Sequence, residues 1–432
     1  MIYRIDNCRG SECRSSSAYR GAAAVIAMSV CLAQATGALA GDDLSLAEAV
    51  TLAIAIGDPT VTRFVEATNA LEELAIADSQ LPDPRLSFGL INWPTDSFDF
   101  EQEPMTQVKV GVRQQFPRGG TLEATRLRRL SESAVQRAAA ALQERRIVRD
   151  TRAAWLEIYY WQRARGSVRE SREAVRELVG VIERSFATGL QNNQDLLRAE
   201  LELSLLDDRA LDIERQIERR KSDLARFIGP VANTTPLSAD LPALPPFPSL
   251  TQMLESIVRH PALMMEQARI DIGARNVDIA KAQYRPGFSV DLSYGVRGAD
   301  RADFGSVMLL VDIPLFTGQR QDRRLKAAQH NRVSAEMDRA ARLLEFKQAL
   351  EKTHADWSRS NERVALYERV VLQRSASNAE AALAGYQNRV TDFAELIRSR
   401  LVHLDTELKR HRLEIDRALA HSRLLFIAGE DR

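Results

Sequence analysis

Four short segments of the chain alternate between apolar and polar residues, which is the pattern of a β-strand with one apolar face. These strands are predicted at about 84–92, 105–115, 287–296 and 304–313. In the second strand, Val108, Val110 and Val112 alternate with residues that include Lys109 and Arg113. Most of the remaining chain has the spacing of amphipathic helices. The pattern therefore predicts an α+β protein with few strands and very long helices.

An internal repeat decides the order of these elements. Pro59 and Pro84 in the first half correspond to Pro261 and Pro286 in the second, and each pair is 202 residues apart. Each half is predicted to contain a helix of about 35 residues, two strands, a very long helix and a final helix. The predicted helices are 45–80, 121–186 and 195–228 in the first half, and 249–283, 319–386 and 395–428 in the second. A helix of ~66 residues is about 100 Å long, which indicates a coiled-coil rod or tunnel.

The repeat divides the chain into four predicted segments. A signal peptide (1–40) is followed by the first repeat (41–229), a proline-rich linker (230–248) and the second repeat (249–432). The linker contains six prolines and is predicted to be non-helical. The signal is predicted from a basic start, an apolar run from Ala22 to Ala33, and the small residues Ala38 and Ala40 before the cleavage site.

Composition excludes several functions. The 59 basic residues balance 59 acidic ones, so the excess positive charge of a nucleic-acid-binding protein is missing. All three cysteines precede residue 41, so the exported chain is expected to have no disulfide and no thiol chemistry. No catalytic motif, cofactor-binding loop or metal-ligand spacing is found, and we predict a protein that is not an enzyme and needs no cofactor.

The alternating strands suit a membrane better than a soluble sheet. No segment after residue 40 approaches 18 consecutive apolar residues, so any membrane entry must use strands. Four strands cannot close a barrel in one chain, whereas three chains would supply twelve and leave no edge. The polar strand faces would then line a lumen, with Lys109, Arg113, Asp291 and Asp312 as candidates. A soluble sheet with one solvated face shows the same alternation.

The sequence around the helix breaks carries a family resemblance. One motif is Phe186-Ala187-Thr188-Gly189 followed by Asp195-Leu196-Leu197, and its second copy is Tyr386-Gln387-Asn388-Arg389 followed by Glu395-Leu396-Ile397. Together with the repeat and the strand pairs, these motifs resemble the TolC-type outer-membrane efflux proteins. Arg389 stands where the family motif has glycine, so this turn is expected to differ in shape.

The resemblance implies a homotrimer in the outer membrane, with a 12-stranded barrel and a helical tunnel in the periplasm. It also implies a periplasmic adaptor (membrane fusion protein) and an inner-membrane pump as partners. The tunnel would end at the helix breaks, and the residues expected at this aperture or in contact with the adaptor are Gly189, Leu190, Asp195, Arg389, Asp392 and Glu395. The same acidic residues also suit the first turn of a helix, where carboxylates are stabilised by the helix dipole.

Gln115-Phe116-Pro117-Arg118-Gly119-Gly120 resembles the CzcC/CusC-like heavy-metal branch of this family. The predicted function is a passive duct for small molecules or metal ions across the periplasm and outer membrane. The alternative is a soluble periplasmic coiled-coil adaptor or scaffold, which explains the helices but not the four alternating strands.

Overall fold

A computed structural model describes residues 43–187, 193–243, 245–298 and 301–428. Within these residues the chain is mostly helical and contains one antiparallel sheet. The predicted signal segment 1–40 lies outside the described residues. The predicted site residues Gly189 and Leu190 and the linker residue Leu244 also lie outside them.

Four strands form the sheet in the order β1-β2-β3-β4, and every neighbouring pair is antiparallel. They are β1 (Arg85–Ile91), β2 (Gln107–Phe116), β3 (Gly287–Arg297) and β4 (Phe304–Asp312). Their ends differ from the expected ones by at most two residues. Within the described part of the chain, β1 and β4 are edge strands that each pair on one side only.

The described residues also contain ten α-helices. They are α1 (Leu46–Ile56), α2 (Pro59–Ala77), α3 (Thr121–Ala187), α4 (Asn193–Ile228), α5 (Val231–Thr234), α6 (Leu250–Ser256), α7 (Pro261–Ala282), α8 (Gln321–Leu366), α9 (Leu372–Gln387) and α10 (Phe393–Ala428). Two helices precede each strand pair, and long helices follow it.

The single helix predicted at 45–80 is two helices in the structure, so that prediction was wrong. α1 ends at Gly57, whose φ of 73° lies in the left-handed region that favours glycine. α2 begins at Pro59, and the side chain of Asp58 accepts the Thr60 N–H at 2.7 Å. Proline suits a first helical position because it has no N–H to donate there.

The helix predicted at 249–283 is interrupted in the same way. α6 ends at Ser256, a short 3₁₀ turn follows, and α7 begins at Pro261. His260 has extended backbone angles and acts as the N-cap of α7. The prediction missed both breaks because the apolar spacing continues on each side of the proline.

The first long helix is continuous, whereas the second is not. α3 has 67 residues, and at 1.5 Å per residue it is about 100 Å long. The helix predicted at 319–386 starts at Gln321 and passes through a π-helical turn, Tyr367–Val371, between α8 and α9. A π turn inserts an extra residue into the helix and changes which side chains face a neighbour.

α3 lies at the centre of the helical layer. Near the sheet it packs between α2 and α7, and α8 packs on the far side of α7. Farther from the sheet it packs between α4 and α10, and α9 packs on the far side of α10. One long edge of the layer is therefore formed by α2 and α4, and the opposite edge by α8 and α9.

The linker is anchored to the middle of α3. Trp155 is fully buried, and its Nε1 donates a hydrogen bond to the Leu44 carbonyl oxygen at 3.0 Å. Leu44 forms a parallel bridge with Leu237 of the linker. Tyr159 stacks on Trp155 and donates its hydroxyl to the Ala239 carbonyl at 3.2 Å. The prediction that the linker is entirely non-helical was wrong, because residues 231–234 form α5.

His260 is a buried base at the break between α6 and α7. Its Nδ1 accepts the Ala262 N–H at 3.2 Å, and its ring packs against Phe346 at 4.5 Å and Phe426 at 5.4 Å. Burial, together with the nearby positive charge of Arg145, lowers the pKa of His260 from 6.5 to about 4. Protonation would place a charge among these aromatic rings.

We predict that His260 makes the fold sensitive to acid. The pKa of about 4 in the folded chain, against 6.5 when unfolded, means that the folded state binds fewer protons between these values. The free energy of unfolding should therefore fall as the pH drops from about 6.5 to about 4. His260→Asn keeps an N-cap side chain but removes the titration. Thermal unfolding across this range should show a weaker pH dependence in the variant, and equal slopes would contradict the assignment.

Candidate functional site

One face of the sheet is apolar and exposed. The cross-strand register places valines of β2 opposite leucine or phenylalanine of β1 and opposite apolar residues of β3. The exposed members of this face are Leu86, Phe88, Leu90, Val108, Val110, Val112, Phe288, Leu292, Tyr294, Val296, Val307, Leu309 and Val311. Their exposed fractions run from 41% to 78%, so the described part of the chain leaves this face uncovered. A contiguous apolar surface of this kind marks contact with a membrane or another protein.

The opposite face is largely polar, although β4 contributes Met308 and Leu310 to it. It holds the four predicted lumen residues, Lys109, Arg113, Asp291 and Asp312. Of these, the structure brings two together: Arg113 lies opposite Asp291 and forms an ion pair at 2.9 Å. Lys109 lies between two glycines of the neighbouring strands, and Asp312 lies opposite Gly287.

A cavity of about 450 Å³ lies at the end of the sheet where β1 begins. Its lining includes Arg85 of β1, Arg113 of β2, Ser289 of β3 and Asp312 of β4.

None of the helices in the described part of the chain is both long and apolar enough to cross a bilayer. Over the same residues, no three His, Cys, Asp or Glu side chains are grouped so that they could hold a metal ion.

The turn between α9 and α10 is the second candidate site. After the C-cap residue Asn388, Arg389 has a φ of 61°, in the left-handed region. The Val390 N–H donates to the Gly385 carbonyl at 2.8 Å, and the Arg389 N–H donates to the Tyr386 carbonyl at 3.0 Å. These two hydrogen bonds define a Schellman motif, in which glycine is the usual left-handed residue. Arginine thus occupies a glycine position and adopts the glycine conformation.

Gly385 lets the turn close. A Cβ atom at this position would lie 2.7 Å from Thr391 Oγ1 and 3.0 Å from its Cγ2. Thr391 in turn donates its hydroxyl to the Ala382 carbonyl at 3.2 Å. A glycine within a helix often marks such a close approach, and this was the sequence signal that the prediction overlooked.

The charged residues after the turn pair locally. Asp392 precedes α10, and its Oδ1 accepts the Glu395 N–H at 2.8 Å. Glu395 forms an ion pair with Arg398 at 2.6 Å, although both side chains are substantially exposed. A surface pair of this kind stabilises the fold by about 0–1 kcal/mol, but it neutralises the carboxylate. Arg389, Asp392 and Glu395 are thus within one turn region, as their sequence separation requires.

The first copy of the turn is only partly described. Asp195 lies in the first turn of α4, and Gly189 and Leu190 are outside the described residues. A shared core connects the two copies: Ala199 of α4, Ile182 of α3, and Phe393 and Leu396 of α10 belong to one buried cluster. The ring of Tyr386 packs against Phe393 at 6.0 Å, which ties the second turn to this cluster.

Solved structures show where this arrangement occurs. The chain is similar to a membrane protein from Pseudomonas aeruginosa, with a TM-score of 0.78 and 16% identity over 89% of this chain and 92% of that one. It is similar to the outer membrane protein VceC of Vibrio cholerae (TM-score 0.74, 16% identity, 89% and 96% coverage). It is also similar to CusC, which forms a transmembrane channel (TM-score 0.73, 13% identity, 89% and 91% coverage). No curated protein sequence matches the chain.

The chain shares the fold of these proteins over most of its length. Residues 254–430 match the family model described as outer membrane efflux protein. This match and the shared fold support an outer-membrane efflux channel over the soluble adaptor. The heavy-metal branch is not distinguished, because CusC is no more similar than the other two.

We predict that Arg389→Gly stabilises the turn. A residue with a Cβ costs roughly 1 kcal/mol in the left-handed conformation, and glycine is free of this cost. Arg389→Ala removes the same charge but keeps the Cβ, and is the matched control. The melting temperature should rise for the glycine variant relative to the alanine variant. Equal values would show that the left-handed conformation does not limit stability.

We predict the opposite effect for Gly385→Ala. The added methyl group must displace Thr391, and overpacking of this kind costs about 1–3 kcal/mol. Gly166→Ala is the control, because a Cβ at this position of α3 meets nothing within 4 Å and should stabilise the helix by about 0.5–1 kcal/mol. A second control, Gly385→Ala combined with Thr391→Ala, should recover part of the loss. Thermal unfolding of the variants would contradict the packing argument if Gly385→Ala and Gly166→Ala shifted together.

Proposed function

We propose that three copies of the chain assemble into a passive duct of a tripartite efflux system. Three sheets form one 12-stranded barrel in the outer membrane, and three helical layers form a tunnel that crosses the periplasm. The observation that carries this proposal is the sheet itself, with an exposed apolar face and a largely polar face opposite. This is the polarity that a water-filled barrel in lipid requires.

The sheet edges support closure by several copies. β1 and β4 each have an unpaired side in the described chain, and unpaired backbone N–H and C=O groups cost several kcal/mol each in hydrocarbon. Antiparallel pairing of β4 in one copy with β1 of the next satisfies both edges. Four strands are too few for a barrel, whereas twelve lie within the range of known transmembrane barrels.

The helical edges show the same incompleteness. α8 has 46 residues but buries only Gln321, Leu350 and Val364. On the opposite edge, Leu197, Leu201 and Leu205 of α4 follow each other at four-residue spacing and are each more than half exposed. Apolar stripes on helices are normally covered by a neighbouring helix. The proposed neighbour is the matching edge of the next copy.

The turn between α9 and α10 lies at the end of the tunnel that is farthest from the sheet. Val390 and Arg398 are exposed there, at 81% for the whole of Val390 and 70% for the side chain of Arg398. We place the aperture and the contact with a periplasmic adaptor at this end, with Asp195, Arg389, Asp392 and Glu395 as its described candidates. We propose that the largely polar sheet face lines the lumen, with Lys109, Arg113, Asp291 and Asp312 as its candidate residues.

A passive duct needs no dedicated cargo site, and cargo choice is left to the pump. The duct is proposed to carry small molecules or metal ions without binding them. Its proposed lumen residues carry both signs of charge, with Lys109 and Arg113 against Asp291 and Asp312, so the barrel itself would favour neither cations nor anions strongly.

The first test is assembly. We expect the full chain in the outer-membrane fraction, and a trimer when it is solubilised in detergent and sized under native conditions. Leu201→Glu places a charge on the exposed stripe of α4 and should lower the temperature at which the trimer dissociates. Glu200→Gln, at the adjacent exposed position, is the control and should leave that temperature unchanged.

A monomer or dimer of the wild-type chain in detergent would contradict the proposed duct. Equal dissociation temperatures for Leu201→Glu and the control would remove α4 from the proposed contact between copies.

A further inference from the structure

We infer that the joint between neighbouring copies repeats the joint between β2 and β3 inside each chain, with its polar contact replaced by an apolar one. In this arrangement Leu81 of one copy is covered by Leu315 and Phe316 of the next, and Val311 of β4 lies opposite Phe88 of β1. The inference rests on the proposed trimer and specifies the surface and register by which the copies meet.

The joint between β2 and β3 lies within the described residues. At the end of β2, Phe116 lies opposite Phe288 at the start of β3, and the two rings stack at 4.8 Å. Just beyond β2, the Arg118 guanidinium donates to the backbone carbonyl of Gln283 at 2.6 Å and to its side-chain Oε1 at 3.1 Å. A residue that follows one strand thus hydrogen-bonds to a residue that precedes the next strand.

The free edges of the sheet end in equivalent segments. Pro117 follows β2 as Pro314 follows β4, so Leu315 stands where Arg118 stands. Pro84 precedes β1 as Pro286 precedes β3, and the residue three positions earlier is Leu81 in one case and Gln283 in the other. The contact Arg118–Gln283 is polar on both sides. At the free edges the equivalent residues, Leu315 and Leu81, are both leucine. Both partners of this contact are therefore apolar, whereas both are polar in the internal joint.

These leucines are only partly covered in the described part of the single chain. Leu81 is 47% exposed and Leu315 is 61% exposed. Phe316, the next residue, is 93% exposed and has a φ of 58°, a conformation that costs roughly 1 kcal/mol for a residue with a Cβ. A costly backbone conformation that displays a bare phenyl ring is understandable if the ring is buried in the assembly. Because β4 and β1 would pair antiparallel, the end of β4 meets the start of β1 of the next copy, where Leu81 lies.

The internal joint also fixes the register. Phe116 is the last residue before Pro117 and lies opposite Phe288, which is the second residue after Pro286. Applied to the free edges, the same rule places Ile313 opposite Leu86. Val311 then lies opposite Phe88, and Leu309 opposite Leu90. All three pairs unite the apolar faces of both strands, as a continuous lipid-facing surface requires.

Disulfide cross-linking tests the register in the full-length, detergent-solubilised protein. The chain has cysteines only at positions 8, 13 and 31, so residues 41–432 provide a cysteine-free background. Val311→Cys with Phe88→Cys should yield a reductant-sensitive covalent trimer on denaturing gels. The control is Val311→Cys with Leu86→Cys, which shifts the pair by two residues along the strand and should lose the cross-link.

A rescue experiment tests the apolar contact. Leu315→Arg should lower the dissociation temperature of the trimer, because the guanidinium would face Leu81 of the next copy. Adding Leu81→Gln recreates the internal Arg–Gln pair between copies and should restore that temperature. If Leu315 faced lipid instead, the second substitution would bring no recovery, and the proposed contact would be wrong.

The outcomes separate this inference from the proposed function. A native trimer that cross-links only through the shifted pair, or through neither pair, overturns the register and leaves the duct intact. A wild-type chain that stays monomeric overturns both. Cross-linking of the Val311–Phe88 pair together with rescue by Leu81→Gln supports the joint as described.

Discussion

The physical constraint behind this structure is that hydrocarbon tolerates no unpaired backbone polar groups. A sheet of four strands with an exposed apolar face meets half of the requirement for a place in a bilayer, because its side chains suit lipid. Its edge strands do not suit lipid, because each leaves a row of N–H and C=O groups without partners in the described chain. The single chain is therefore chemically incomplete, and its helical layer shows the same incompleteness at its own two edges.

The helical layer has two edges of its own. α3 carries buried residues from Ala124 to Ile182 because α2, α4, α7 and α10 all pack against it. The buried Trp155 ties the linker to its middle, so the two halves of the chain are held at one level of the rod. α8 and α9 are left on one side and α2 and α4 on the other. In the proposed trimer, each copy would supply one segment of a closed cylinder.

The sequence predicted the elements that depend on periodicity. Strand positions and the apolar and polar faces follow from a period of two residues, and this assigned Lys109 and Asp291 to one face without any knowledge of the register. The Arg113–Asp291 ion pair was not predictable, because it depends on the alignment of strands that are 178 residues apart in the chain. The breaks at Pro59 and Pro261 and the π turn after α8 were also missed. Each is a local backbone event that leaves the apolar spacing on both sides unchanged.

Arg389 shows how one turn can keep its shape without glycine at its left-handed position. The Schellman hydrogen bonds of Arg389 and Val390 hold the left-handed conformation, and Gly385 gives Thr391 the room it needs. Glycine therefore stands at position 385, where a side chain would clash with Thr391. Arginine stands at position 389, where the left-handed backbone conformation alone would favour glycine. The arginine adds a positive charge at the far end of the rod, where Arg398 already pairs with Glu395. Charges of both signs are therefore present at this end. The Asp392 carboxylate accepts a hydrogen bond from a backbone N–H. Among the described contacts of this turn, it has no cationic partner at ion-pair distance.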